Sequence, residues 1–488
     1  MIRRFAPLVL LFSFAAAMPA DRACAAEQVF RAGAAASNIT PPIGTEIIGG
    51  FNPAPSTHVH DELHARTLVL DDGTAQLAIV VCDLLGVGRD LCAIAAERIE
   101  KECGIPRAHV LIAGTHTHSA ASALGGDRMN WERPELDEYQ RFVVGRIVDG
   151  VRRAQNLREP AQIAWGATDE PRHVFNRRWH LKPGTMPVNP FGNTTDVVKM
   201  NPGRGPHLVK PAGPVDPQVW TLCVRAKNGT RTIGLLSNYS LHYVGGVGAG
   251  HISADYFGVF ARRIVEMLDA ERQEPPLVAL LSNGTSGDVN NNNLAGPSER
   301  LAPYEKMRIV ADDVARAALA SLKAATWHDW VPLAAVRREP IIGSRPLTKE
   351  QIERARGVLS WPADPAKPAS LERIYADRVV RLSRWPAEVP VPLQALRIGD
   401  LAIGALPCET FAETGLELKA KSPIQAYFTI ELANGYYGYL PTPPQHKLGG
   451  YETWPGTNRL EVEASVKLTA QLLEMLDELA KSKPAAGE

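Results

Sequence analysis

Cysteine is scarce in this chain, six in 488 residues, and one of the six, Cys24, lies in an N-terminal segment that export would remove. The remaining Cys82, Cys92, Cys103, Cys223 and Cys408 are odd in number and never fall in a C-x-x-C spacing. That argues against a disulfide scaffold or a cysteine zinc site, and leaves them as small buried apolar side chains. Any metal would then be held by histidine and oxygen ligands. An excess of charge of one sign is also lacking, because 53 Lys and Arg balance 53 Asp and Glu. The balance offers no footprint for nucleic acid or for lasting attachment to an anionic membrane. The expected partner is a small-molecule or lipid substrate, met with no more than transient contact at a membrane surface. Long apolar runs are missing too: after the N-terminus none reaches the roughly eighteen residues that a membrane span needs.

The N-terminus carries Arg3 and Arg4, the apolar stretch FAPLVLLFSFAAA and small residues around Ala23 to Ala26. This is the order of a secretory signal. Residues 1–26 are expected to be that signal, and the mature protein, from residue 27, to be secreted or periplasmic in a bacterium.

What is present reads as alternating strands and helices. ARTLVL and AQLAIVVCD, joined at DDGT, predict a hairpin; a helix at GRDLCAIAAERIEKECG and a strand at AHVLIAG follow. VWTLCVRA and RTIGLLSNYSLH predict a second strand pair, and helices are expected over DYFGVFARRIVEMLDAER and EKMRIVADDVARAALASLKAA. The alternation implies an α/β fold with helices over a sheet. Two stretches break the pattern: an irregular Pro/Gly/Asn-rich insert at about 180–217, and an excursion of two polar helices at about 340–390 around SWPADPAKPAS.

Polar residues gather where strands end, the usual place for chemistry in α/β proteins. GTHTHSA puts His116 and His118 two residues apart, hence on one face if the segment stays extended. By itself the pair is compatible with a metal site, a nucleophile with its base, or two solvated histidines. NYSLHYVGG adds His242 and GTSGDVNNNN adds Asp288 and Asn290. ALPCETFAETG adds Glu409, expected at the start of a helix, and NGYYGYLPT adds Tyr439.

Taken in order, SNITPPIGTEIIGGF, HARTLVLDDG, VVCDLLGV, GTHTHS, FNRRW, NYSLH, ISADYFG, GTSGDVN, PCETFAETG and NGYYGYLPT with a later YE resemble the neutral/alkaline ceramidase family of zinc-dependent amidases. The resemblance implies mixed β-sheets packed centrally and covered by helices, with 27–488 as a single catalytic domain lacking the C-terminal β-sandwich of many ceramidases. It implies one Zn²⁺ per chain, held by His116, His242, Glu409 and Tyr439. His118 would stand beside the activated water, Arg177 would face the carboxylate product, and Tyr451 would line the site. Zinc would activate water and polarise the amide carbonyl. Asp83, Asp255 and Asp288 are candidates for fixing histidine tautomers.

The chain departs from the family at Asn290, which stands where the family has its active-site serine. Asparagine can hydrogen-bond but cannot be acylated. The leading expectation is a secreted zinc amidohydrolase acting on an N-acyl linkage, ceramide by default. Two readings stand beside it. One is a zinc hydrolase or lyase on another linkage (sugar amide, ester, glycoside or phosphoester), in which Asp83, His251 and Asp255 could hold a second metal. The other is a binding protein without catalysis.

Overall fold

The computed structural model describes residues 1–2 and 28–482 apart from 122, 125–128, 130, 132–134, 299 and 364–366. All but the first two residues of the expected signal segment lie outside the described residues. Apolar side chains alternate along the strands so that both faces are covered. Leu68, Leu70, Ile79 and Val81 point into one cluster while Val69, Ala78 and Val80 point into another.

These strands build an eight-stranded mixed sheet. In chain order they are β1 (Arg31–Asn38), β2 (His64–Asp71), β3 (Gln76–Cys82), β4 (Val110–Gly114), β5 (Glu159–Asp169), β6 (Gln218–Ala226), β7 (Thr232–Tyr239) and β8 (Val278–Asn283). Their spatial order is β8-β7-β6-β5-β1-β2-β3-β4. The interior pairs are antiparallel, and only the two edge pairs, β3 with β4 and β7 with β8, run parallel. A second sheet, β9 (Leu333–Arg338), β10 (Leu393–Ile398), β11 (Leu401–Ala405) and β12 (Ala426–Ile430), repeats the rule with a parallel β11–β12 edge.

The two sheets face each other across one apolar core, in which Leu111, Leu236 and Leu280 meet Leu396, Ile403 and Phe428. Helices α1 (Arg89–Cys103) and α2 (Glu138–Asn156) cover the outer face of the large sheet on one half; α3 (Asp255–Met267) and α4 (Glu305–Ser321) cover it on the other. The helix Ala464–Lys481 covers the outer face of the small sheet through Leu468, Leu472 and Leu476. The expected architecture, central mixed sheets under helices, is therefore present. All five described cysteines are free, and all but Cys103 are buried.

Both irregular stretches carry more order than the sequence pattern suggests. Within 180–217 the short strands Val198–Met200 and Leu208–Pro211 pair on either side of Arg178–Leu181. Strands of three or four residues show no readable period, which is why the segment looks featureless. The 340–390 excursion is a helical hairpin, α5 (Lys349–Ser360) and α6 (Leu371–Leu382), started by Thr348 and Ser370 as side-chain caps and closed by Ala355, Val358, Ala376 and Val379.

Candidate active site

Each parallel edge pair releases its chain on the same side, and the loops that follow meet there. After β4, Thr115 N–H donates to the Cys82 carbonyl and His116 N–H to the Leu84 carbonyl. The backbone turns left-handed at His116, φ 73°. The segment is thus not extended, and strand alternation is not what aligns the two histidines. The turn brings His118 Nε2 within 3.1 Å of His116 Nε2 all the same. His242, following β7, places its Nε2 2.9 Å from His116 Nε2. Glu409 follows β11, and its Oε2 lies 3.3 Å from His116 Nε2 and 3.5 Å from His242 Nε2. Glu409 does not begin a helix: it pairs with Tyr439 in a two-residue parallel bridge, and the next helix starts only at Ala412.

The tautomers follow from the backbone. His116 Nδ1 is 2.7 Å from the Leu85 carbonyl and His242 Nδ1 is 3.1 Å from the Ser286 carbonyl. A carbonyl can only accept, so both Nδ1 atoms carry the proton and both Nε2 atoms present lone pairs. Two facing lone pairs and a carboxylate oxygen in a buried space repel one another unless a cation lies between them. Glu409 Oε2 is buried and has no hydrogen-bond partner, while Oε1 accepts from the Tyr436 hydroxyl at 2.6 Å. Ligand bonds of about 2.0–2.1 Å in a tetrahedron put donor atoms about 3.3 Å apart. The spacings here, 2.9 to 3.5 Å, fit a small divalent metal. Among the described residues, His116, His118 and His242 are the group of three ligand-type side chains close enough to share an ion.

Electrostatics agree. Burial, then the neighbouring His116, pushes the His118 and His242 imidazoles well below their usual range, so both are neutral. Burial pushes the Glu409 carboxyl up, but its neighbours, His116 first and then the Tyr436 and Tyr439 hydroxyls, outweigh it and hold the carboxyl at about 2. The Tyr439 hydroxyl accepts from Arg177 Nη2 at 2.8 Å, and Arg177 Nε donates to Glu452 Oε1 at 2.9 Å. Glu452 Oε2 also accepts from Arg178, so one buried carboxylate holds two adjacent arginines.

A cavity of about 380 Å³ opens from this cluster and is lined by His116, His118, His242, Glu409, Arg177, Tyr439, Tyr451 and Asn290. The eight side chains that the resemblance puts at the metal or beside it therefore line one cavity. Asn290 donates to Asn201 Oδ1 at 2.6 Å and accepts from Asn292 N–H at 3.0 Å, which leaves one amide hydrogen for a ligand.

The sequence model of the neutral/alkaline non-lysosomal ceramidase family, N-terminal, matches residues 30–304. The chain belongs to this ceramidase family. Its fold is also that of a neutral ceramidase from Pseudomonas aeruginosa, with a TM-score of 0.66 at 17% identity over 95% of this chain and 76% of that one. A ceramidase complexed with C2 is similar at a TM-score of 0.65 and 16% identity, over 95% and 77% of the two chains. No curated protein sequence matches.

Other expected roles in this family member do not hold. Asp83 is clasped by Arg66 and the His64 N–H. Asp255 accepts from the Val244, Gly245 and Tyr256 N–H groups. Asp288 accepts from Asn176 and the Ala412 N–H. None orients a site histidine; backbone carbonyls do that. His251 pairs with Tyr304, so Asp83, His251 and Asp255 form no second metal site. Sequence reasoning missed Tyr436, the ring of Tyr243 stacked on His118 at 3.8 Å, and Glu431. Fully buried Glu431 accepts from Ser286 Oγ and from Thr410 N–H, both at 2.6 Å, tying the turn behind His242 to the strand of Glu409. Its one signal was a glutamate at the end of an apolar strand, FTIE.

Proposed function

We propose that the mature chain, 27–488, is an exported, single-domain, metal-dependent amidohydrolase that cleaves an N-acyl linkage, with one zinc ion held by His116, His242, Glu409 and Tyr439. The observation that carries this reading is the convergence of two Nε2 lone pairs on an unsatisfied, buried carboxylate oxygen. When bound, zinc supplies Lewis acidity for the carbonyl and lowers the pKa of a water to near neutral. The remaining work falls to side chains. His118, neutral and facing the cavity, is placed to take a proton from attacking water and return it to the leaving nitrogen. Arg177, fixed by Glu452, keeps the Tyr439 oxygen in place and gives the site a positive wall where carboxylate is released. Asn290 offers its free amide hydrogen to the substrate, an orienting role that requires no acyl-enzyme.

No helix among the described residues is long and apolar enough to cross a membrane. The test is metal analysis and turnover of fluorescent ceramide and a panel of N-acyl amides and esters by the wild type and Glu409→Ala. The expected result is about one zinc per wild-type chain, with metal and amide turnover both lost in the variant. Two metals per chain, or zinc bound with no amide cleaved, would sink the proposal.

A further inference from the structure

The cavity that opens from the cluster carries an excess of positive charge. Arg177, Arg378 and Arg459 line it against a single carboxylate, Glu409, which the metal would share. Arg177 is matched by Glu452. Arg378 is different. It reaches the cavity from α6, half-buried, with its guanidinium over the Tyr375 ring at 4.9 Å and the Phe51 ring at 5.6 Å. It donates to hydroxyls, Thr457 Oγ1 at 3.3 Å and that of Tyr451. No carboxylate among the described residues pairs with it, although an arginine taken out of water is costly without a counter-charge.

The side chain is held in place rather than loosely hung. A Cβ on Gly456, whose φ is 93°, would fall 2.5 Å from Arg378 Cβ, so the backbone passes where only glycine fits. An aromatic path links the guanidinium to the reacting centre: Phe51 to Tyr451 at 5.9 Å, Tyr451 to Tyr439 at 5.6 Å, Tyr439 to Arg177 at 5.3 Å. On the other wall stand Asn201, Asn290, Asn291 and Asn292, groups suited to hydroxyl and amide partners rather than to alkyl chains.

We infer that Arg378 is the anion-binding subsite of this cavity, and that the substrate is an N-acyl amide bearing an oxyanion (carboxylate, sulfonate or phosphate) as well as the scissile bond. The inference rests on the amidase reading and narrows it: a neutral two-chain lipid would leave Arg378 with hydroxyl and aromatic neighbours but no counter-charge, whereas an oxyanion completes a charge-assisted, bidentate pair.

The experiment compares matched pairs. One is an N-acylglycine against its glycinamide, and another a dicarboxylic acid monoamide against its diamide, so that the anion sits on either side of the bond. Ceramide 1-phosphate against ceramide in detergent micelles distinguishes a lipid headgroup from a soluble acid. The wild type should favour the anionic member of at least one pair in kcat/KM by about tenfold or more. Arg378→Met, which keeps the stem, should bring that ratio to about one through KM, and Arg378→Lys should restore part of it. Binding of the same pairs to metal-depleted protein gives a readout independent of turnover: the same preference without hydrolysis supports the subsite even if the amidase reading fails. Equal use of both members of every pair, or an equal loss on both in Arg378→Met, overturns it.

Discussion

At the scale of the residue, His116 and His118 have different surroundings. His116 is buried, its Nδ1 committed to Leu85, its Nε2 among the lone pairs. His118 lies on the Tyr243 ring at the cavity wall. Removing His116 should empty the metal site; His118→Ala should retain most of the metal while kcat falls about 100-fold or more, the usual weight of a proton-transfer group. Metal content measured beside kcat separates the two, and equal metal loss in both would make His118 a ligand. Glu431 acts one step further out. Replacing it with Ala frees the Ser286 turn and the Glu409 strand together, and metal affinity should fall about 10–100-fold, as expected for groups that orient ligands. A competitive chelator titration reads this directly. That His116, His242 and Glu409 meet was open to a reader of the sequence because each follows a strand. The left-handed turn at His116 and the reach of Glu431 were not, since backbone sign and long-range hydrogen bonds leave no local pattern.

At the scale of the element, the ends of the parallel edge pairs bring His116, His242 and Glu409 together, and short loops complete the wall. The segment carrying Gly49 crosses His118 so closely that a Cβ there would lie 2.2 Å from the His118 carbonyl oxygen and 2.4 Å from its Cβ. Gly49→Ala must therefore displace one of the two chains. Turnover should drop at least about tenfold, because a proton-transfer group tolerates little displacement and shifts of about 1 Å are costly. The melting temperature should move little, as Gly49 itself belongs to none of the apolar clusters, and a fall in both would assign the glycine to folding instead. The long strands and covering helices were legible in the sequence from alternation and helical period. The α5–α6 hairpin was legible as two polar helices, but not that α6 delivers Arg378 to the cavity. Nothing in a polar helix states which neighbour it will meet.

At the scale of the whole molecule, the site depends on the pairing of two halves of the large sheet with the small one, and buried acids at those junctions couple it to pH. Asp255, at the start of α3 with φ 56°, holds the N–H groups of Val244 and Gly245 and so fixes the loop of Tyr243, which lies on His118. Burial raises its pKa to about 6 from 3.8, more than its three backbone donors lower it. A carboxyl raised in the folded state binds its proton more tightly there than in the unfolded chain. Its stabilising contribution is complete below pH about 4 and is lost as pH rises through about 6. A shift of this size corresponds to roughly 3 kcal/mol across that window. Asp255→Asn keeps one acceptor and removes the titration, so its stability relative to the wild type should improve as pH goes from 4 to 7, offset by the weakened bond to Gly245. Denaturant unfolding of both proteins at several pH values measures the difference, and a gap that stays constant from pH 4 to 7 would show that Asp255 titrates alike in the folded and unfolded chain.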